Sequence, residues 1–278
     1  MHTVIAFLND LHVGHPFAVC PATWTLHDGN PFTPNPLQHI IRRHWLDCWD
    51  WIHDLRQGGR LVVVTVGDLI EGLHHDTTQV ITSRIDTQED MAVGVLEEGL
   101  ARVNFTRGDK MRWITGSPAH DGPGAASVER IARRVMDDTS DGRLSQDRWR
   151  GRVDGVLFDV AHHPGAGPGS RAWLYGNAFQ GWLRSLYFTA LEAGSPVARY
   201  VMRAHRHTFM RRTVESYTGD TVMTGFLLPG FKLKDEYVYL RAADALSSIG
   251  MVAVVIRDGC AVDMWKTIPV EQDPVEEL

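Results

Sequence analysis

The sequence predicts an α/β fold on three observations. Short runs of β-branched and aromatic residues recur at 4–8, 61–66, 110–115 and 155–161, each with the length and composition of a buried strand. Between them lie longer stretches whose apolar residues return every three to four positions, the period of a helix with one buried face. The strand runs lead into Asp, His or Ser/His clusters, and open α/β sheets place their chemistry at such strand ends.

The first run, Val4-Ile5-Ala6-Phe7-Leu8, leads into Asn9-Asp10-Leu11-His12. If the backbone stays extended, Asp10 and His12 point to one side. A carboxylate beside an imidazole suits a divalent transition metal. Alone, the pair reads more simply as the start of a solvated loop, with an Asp turn or cap. Residues 13–35 carry Pro16, Pro21, Gly29, Pro31 and Pro34, a density that predicts a long ordered loop. Loops of that length tend to be functional. Phe17, Trp24, His27 and Phe32 are candidates to line a substrate cleft; the alternative is a surface loop packed by its own side chains.

A helix is predicted over 37–57 from Ile40, Ile41, Trp45, Cys48, Trp49, Ile52 and Leu55, stopped by Gly58-Gly59. The strand at 61–66 ends in Gly67-Asp68-Leu69-Ile70-Glu71-Gly72, where Gly67 permits close backbone approach. His74, His75 and Asp76 follow as substrate contacts, extra ligands or a solvated loop. A second helix is predicted over 88–107 and a third over 126–138, whose Arg130, Arg133 and Arg134 read as a solvated face. Between these two, the strand at 110–115 leads to a loop, Gly116-Ser117-Pro118-Ala119-His120-Asp121. Residues 139–147 read as a polar connection without periodicity. The strand at 155–161 ends in His162-His163-Pro164, and the glycine-rich 165–170 reads as flexible or closely approached by a ligand. A helix over 173–193 and a strand over 199–204 bring the chain to His205-Arg206-His207. Strands at 209–217, 222–228, 251–256 and 261–265 close it, with Asp258-Gly259 as a hairpin turn. The expected organisation is one domain over 1–270 and a frayed acidic tail over 271–278.

Composition narrows the function classes. A chain of 278 residues with 44% hydrophobic and 22% charged residues is ordinary for a soluble globular protein. The net charge of -6 excludes a generally basic surface, so nucleic-acid contact would need a local patch or metal ions. Cys20, Cys48 and Cys260 are too widely spaced for a disulfide framework or a CxxC zinc site and fit a reducing compartment. No signal-like segment opens the sequence and no apolar run has the length of a membrane span. A cytoplasmic protein without a membrane partner is expected.

Five strand-like runs end in metal-competent groups: Asp10 with His12, Asp68, Ser117 to His120, His162 with His163, and His205 with His207. Singly, each is more often a hydrogen-bonded surface or core residue. In order, each after a buried run, they point to a metal site on one sheet edge. Carboxylates and imidazoles without thiolate suit manganese, iron or zinc. A carboxylate such as Asp68 can bridge two ions about 3.5–4 Å apart, the arrangement of two-metal hydrolases. Such a pair activates water and neutralises a phosphoryl group.

The ordered series Asp10-x-His12, Gly67-Asp68 with Glu71-Gly72, Gly116-Ser117-x-x-His120-Asp121, His162 and His205-x-His207 resembles the calcineurin-like metallophosphoesterase superfamily over about residues 1–207. Within it the chain looks closer to the nuclease and phosphodiesterase branches, including double-strand-break repair nucleases and phage or prophage members. The resemblance implies a four-layer α/β/β/α sandwich of mixed sheets flanked by helices. It implies that Asp10, His12 and His207 hold one ion, that Asp68 bridges, and that His162 and His205 hold the second. His162 is preferred to His163 because the family's ligand commonly stands two residues before a proline. His120 would hydrogen-bond substrate and help protonate the leaving oxygen, with Asp121 orienting it. Ser117 stands where the family carries an asparagine ligand and is the candidate ligand there, though its hydroxyl is a poorer ligand than an amide carbonyl. The second ion would then be weaker, more hydrated, or helped by His74 or His75. The Asp-Arg-Gly of the phosphoprotein phosphatases is absent.

The function expected is hydrolysis of a phosphodiester, DNA or RNA included, with two divalent ions. Manganese is the first expectation, with iron, zinc or magnesium as alternatives, and a homodimer is compatible with the resemblance. Arg206, with Arg211 and Arg212, is a candidate for phosphate contact. The competing readings are a phosphomonoesterase or nucleotide hydrolase and a non-catalytic metal-binding scaffold. The Ser117 departure favours the scaffold and the retained His120 opposes it.

Overall fold

The computed structural model describes residues 2–74, 78–137, 142–167, 174–219, 221–236, 238 and 246–270. In chain order the strands are β1 (His2–Leu8), β2 (Trp24–Thr25), β3 (Pro31–Phe32), β4 (Arg60–Val66), β5 (Lys110–Ile114), β6 (Ser145–Gln146), β7 (Arg148–Val153), β8 (Val156–Ala161), β9 (Tyr200–Arg203), β10 (Met210–Glu215), β11 (Val222–Leu227), β12 (Ser248–Arg257) and β13 (Cys260–Pro269). The helices are α1 (Pro36–Arg56), α2 (Ile85–Arg102), the one-turn α3 (Pro118–Asp121), α4 (Ala126–Met136) and α5 (Asn177–Glu192).

Two mixed sheets form from these strands. The first runs β13-β12-β1-β4-β5-β6 and the second β10-β11-β9-β8-β7. Side chains alternate across a strand, so β1 sends Ile5 and Phe7 one way and Val4, Ala6 and Leu8 the other. Ile5, Phe7, Val62 and Val64 meet Phe158, Val160, Tyr200, Met202 and Phe226 of the second sheet in one buried cluster. Val4, Ala6, Leu8, Leu61 and Val63 instead pack beneath Ile41, Trp45, Trp49, Met91 and Leu96 of α1 and α2. On the far side, Phe179, Leu183 and Tyr187 of α5 cover Leu157, Val201, Met223 and Leu227. The result is a helix–sheet–sheet–helix sandwich. Burial on both faces explains why β1 and β4 read as unbroken apolar runs.

Local chemistry sets the element ends. α1 begins with a capping box between Asn35 and Gln38 and with Pro36 in its first turn; it ends at Gln57, which is left-handed at φ 44. α2 stops at Arg102, five residues short of the expected helix. There the Asp109 carboxylate collects the backbone N–H of Thr106 and of Leu61 and the guanidinium of Arg56, which turns the chain away. Gly99 lets α2 approach α1, because a Cβ there would stand 2.2 Å from the Trp49 indole nitrogen. Asp258 and Gly259 form the expected two-residue turn, both at positive φ (48 and 82).

Several expectations are corrected. The polar connection at 139–147 contains β6, and β7 follows it in residues to which no element was assigned. The sequence Arg-Trp-Arg-Gly-Arg-Val conceals β7 because only one face is buried: Trp149 stacks on Phe158 while the arginines face out. Ser117 to His120 opens a helical turn instead of a loop. The long loop carries the small hairpin β2–β3. Trp24 lies over Gly94 of α2, and Phe32 also packs into the helical layer, so neither lines a cleft beside Asp10; His27 is exposed. The strand ends that carry the chemistry belong to two sheets, not one. α5 begins at Asn177; Trp173, His75 and the tail 271–278 lie outside the described residues. Among the described residues no helix is long and apolar enough to cross a membrane.

The inter-sheet core is the part least able to tolerate a void. Phe158 is fully buried between Trp149 and Tyr200, so Phe158→Ala is expected to lower unfolding free energy by about 3–5 kcal/mol. Val262→Ala on β13, 58% exposed, should change it by less than about 0.5 kcal/mol. Urea denaturation monitored by tryptophan fluorescence checks both.

Candidate metal centre

The loops after β1, β4, β5, β8 and β9 meet where the carboxyl ends of the two sheets adjoin. The first two run side by side: Asp10 N–H donates to the Gly67 carbonyl, His12 N–H to Asp68, and Val13 N–H to Leu69, each at 3.1 Å. The second and third are locked by glycines, since a Cβ on Gly67 would lie 2.4 Å from Gly116 Cα. From the second sheet, His162 donates its Nδ1–H to the Val66 carbonyl at 2.7 Å. That bond turns Nε2 toward Asp68, 3.0 Å from Oδ2. Asp10 receives the His205 backbone N–H at 3.0 Å.

Asp10 (φ 48), His12 (φ 46), Asp68 (φ 51), His205 (φ 70) and His207 (φ 47) all adopt left-handed backbone. An extended chain therefore does not bring Asp10 and His12 together; a bent one does. Such conformations cost non-glycine residues on the order of 1–3 kcal/mol each and persist where the surroundings enforce them.

Charge and spacing fit cations. Asp10 and Asp68 are buried, yet Asp10 Oδ1 has no hydrogen-bond partner. It faces His207 Nε2 at 3.5 Å, His12 Nε2 at 3.9 Å and His162 Nε2 at 4.0 Å. His12 Nε2 and His207 Nε2 are 3.1 Å apart, and His162 Nε2 and His205 Nδ1 are 3.2 Å apart. Two nitrogens each about 2.1 Å from one ion stand roughly 3.0 to 3.4 Å apart between octahedral and tetrahedral angles, so both pairs, at hydrogen-bond distance here, also lie within the range of shared ligands. Asp10, His12 and His207 form one group; Asp10, Asp68 and His162 another; His162, His163 and His205 a third.

The protonation balance agrees. Burial opposes ionisation of Asp68, but the His162, His205 and His120 rings outweigh it and hold the carboxyl well below the usual range. Asp10 likewise falls below that range, burial being overcome by His207 and His162. Burial would lower His162, and Asp68 and Asp10 instead push it up to about 10. His162 thus carries positive charge that a bound ion would supply in its place. His12 behaves oppositely: burial, then the charges of His120 and Lys232, hold it well below 6.5, in the neutral form a ligand needs.

The remaining predicted residues surround this core. Ser117 donates its backbone N–H (2.7 Å) and places its hydroxyl (3.1 Å) on Asp68 Oδ1, so it steadies that carboxylate. His120 sits with Nε2 4.0 Å from Asp68 Oδ2. Its Nδ1 lies 2.5 Å from the Glu71 carbonyl, so that carbonyl orients the ring. Asp121 turns instead to the Gly116 N–H, with burial and then the Asp68 charge pushing it up to about 7. His74 bonds Glu71 at 2.8 Å and stacks edge-on against His120. His163 is exposed beside His205, and Arg206 is exposed at the rim.

Two residues of the site were given no role from sequence. Glu71, fully buried, accepts from His12 Nδ1 at 2.9 Å and so directs His12 Nε2 into the site. Lys232, also buried, places Nζ 3.2 and 3.3 Å from the two Glu71 oxygens and 2.6 Å from Asp235. Glu71 was visible as an acid three residues after Asp68. Lys232 had no signal, because its segment carries neither periodicity nor motif.

No protein-family model and no curated protein matches the sequence. Among solved structures, Vacuolar Protein Sorting 29 from Cryptosporidium parvum is 11% identical, with 96% of this chain and 98% of that one covered and a TM-score of 0.37. Wild-type Vps29 complexed with zinc from Entamoeba histolytica is 9% identical over 95% and 98% of the two chains, at 0.34. A metallophosphoesterase from Sphaerobacter thermophilus is 11% identical over 97% and 89%, at 0.35. TM-scores this low give these likenesses no weight for fold or function.

Glu71 sets the orientation of His12, so Glu71→Gln is expected to weaken manganese binding about 10–100-fold. Isothermal titration calorimetry on metal-stripped protein measures this, with circular dichroism confirming that the fold is retained.

Proposed function

We propose that this chain is a metal-dependent phosphoesterase that hydrolyses phosphodiester bonds, as a nuclease or a phosphodiesterase. The observation that carries this reading is the pair of imidazole nitrogen contacts flanking Asp10 and Asp68, with His120 alongside. Asp10, His12 and His207 would hold one ion; Asp68 would bridge; His162 and His205 would hold the other. Manganese is the first choice, with iron, zinc and magnesium open. Bound divalent ions supply Lewis acidity and a hydroxide-like nucleophile near neutral pH.

The chain's own groups do the rest. Ser117 fixes the rotation of Asp68 by two hydrogen bonds to Oδ1, which leaves Oδ2 toward His162. With the serine so engaged, the second group draws on Asp68, His162 and His205 and keeps room for a substrate oxygen, as catalytic sites do. His120 is anchored through Nδ1 and 12% exposed in its side chain, which leaves Nε2 to face the site; burial lowers its pKa, so it would give a proton to the leaving oxygen only in the imidazolium form. Arg206, exposed between His205 and His207, would meet a non-bridging phosphate oxygen with a charge-assisted bond.

The test is turnover of bis-p-nitrophenyl phosphate, p-nitrophenyl phosphate and linear DNA with manganese, iron, zinc or magnesium. The diester should be preferred to the monoester. Asp68→Ala should abolish turnover, and His120→Ala should lower kcat about 10²–10⁴-fold without loss of bound metal. Absence of turnover with every ion, or full activity in Asp68→Ala, overturns the reading.

A further inference from the structure

β7 is the edge strand of the second sheet, and its outward positions are Arg148, Arg150 and Arg152, all exposed. Alternation puts the three on one face, while Trp149 and Val153 turn into the inter-sheet core. Side chains two residues apart on a strand stand about 6.6 Å from one another, so the row is a regular ladder of positive charge. α5 packs over β10 and β11, at the other side of the sheet. The row also has a direction. Arg148 pairs in register with Ala161, the residue before His162, so this end adjoins the metal centre. Arg152 lies at the far end, in a cavity of about 390 Å³ lined also by Arg199, Gly155 and Gly259, with no carboxylate in its lining.

The charge of this row is largely uncompensated. Arg148 and Arg203 share one carboxylate, that of Asp159. Arg150 donates to the Pro196 carbonyl and Arg152 to the Gly155 carbonyl, neutral acceptors that leave the guanidinium charge in place. The helical layer on the first sheet contrasts with this. There Arg42, Arg102, Arg130 and Arg134 are each paired, with Glu98, Asp50, Glu89 and Asp90. In a chain of net charge -6, a ladder in which Arg150 and Arg152 have no acidic partner among the described residues, and which leads toward the candidate metal centre, offers regularly spaced positive charge to a polyanion.

We propose that the β7 arginine row is a phosphate-backbone track that seats a single nucleic-acid strand and directs it to the metal centre. The inference rests on the phosphodiesterase reading of that centre and names its substrate class. Backbone contacts position a strand without reading its bases, so binding should be sequence-independent and steeply dependent on salt.

The experiment is fluorescence anisotropy of a labelled single-stranded oligonucleotide with the full chain in EDTA, where no cleavage occurs. Arg150→Glu/Arg152→Glu should bind at least tenfold more weakly than wild type at low salt. Loss of two phosphate contacts should also flatten the plot of log affinity against log salt by about 1.4. Arg150→Gln/Arg152→Gln gives a milder loss in the same direction and covers the case in which the glutamates disturb the strand. Arg102→Glu/Arg134→Glu, on the opposite layer, should leave affinity and slope unchanged. The track is overturned if both row variants match wild type, if the control pair weakens binding equally, or if the oligonucleotide does not bind. Binding of phosphatidylserine vesicles or an acidic polypeptide in preference to the oligonucleotide also overturns it. Bis-p-nitrophenyl phosphate is too small to span the row, so its turnover should be unchanged in the row variants. Failure of that turnover in wild type removes the phosphodiesterase reading and leaves the EDTA binding result to stand or fall separately.

Discussion

The structure around the site depends on buried negative charge. Asp10, Asp68 and Glu71 are almost fully enclosed and all held in the ionised form. Carboxylates removed from water are tolerable only beside positive charge or good donors. Every loop that reaches this point brings one or the other. Lys232 answers Glu71 directly, and Ser117 bonds Asp68. Asp10 Oδ1 is left with imidazoles near it and no hydrogen-bond donor, which is the position a cation satisfies.

The two sheets make that concentration possible. Neither sheet alone carries the site: the first contributes Asp10, His12, Asp68, Ser117 and His120, the second His162, His205 and His207. Their shared apolar core, from Ile5 and Val64 to Phe158 and Met202, sets the strand ends side by side. The cross-sheet bonds then fix the details, His162 onto the Val66 carbonyl and the His205 amide onto Asp10. Left-handed backbone at five of the residues is the local strain that this framework sustains. Rigid packing beneath and strained loops above together hold the nitrogens at ligand spacing.

The same architecture decides what can approach. On the helical layer of the first sheet Arg42, Arg102, Arg130 and Arg134 are each paired with an acid. The edge strand β7 has no such covering, and its arginines bond carbonyls or share a carboxylate. A chain with an acidic total can thus carry a local cationic strip. Net charge describes the solvent-averaged surface, and the strip follows from which strand lies at the edge.

By itself the sequence determined the strands buried on both faces, the helices with one apolar stripe, and the order of acids and histidines at strand ends. Those features are local, written in periodicity and in residues adjacent to the runs. Half-buried β7 was hidden because arginine alternating with Trp, Gly and Val matches no apolar run, and the early end of α2 depended on Asp109 capturing distant groups. Which ring nitrogen faces the centre, the partnership of Glu71 with Lys232, 161 positions away, and the bond from Ser117 to Asp68 were decided only in three dimensions. Such contacts join segments remote in sequence, and their geometry is set by how two sheets pack and by how the loops bend, neither of which any short stretch of residues encodes.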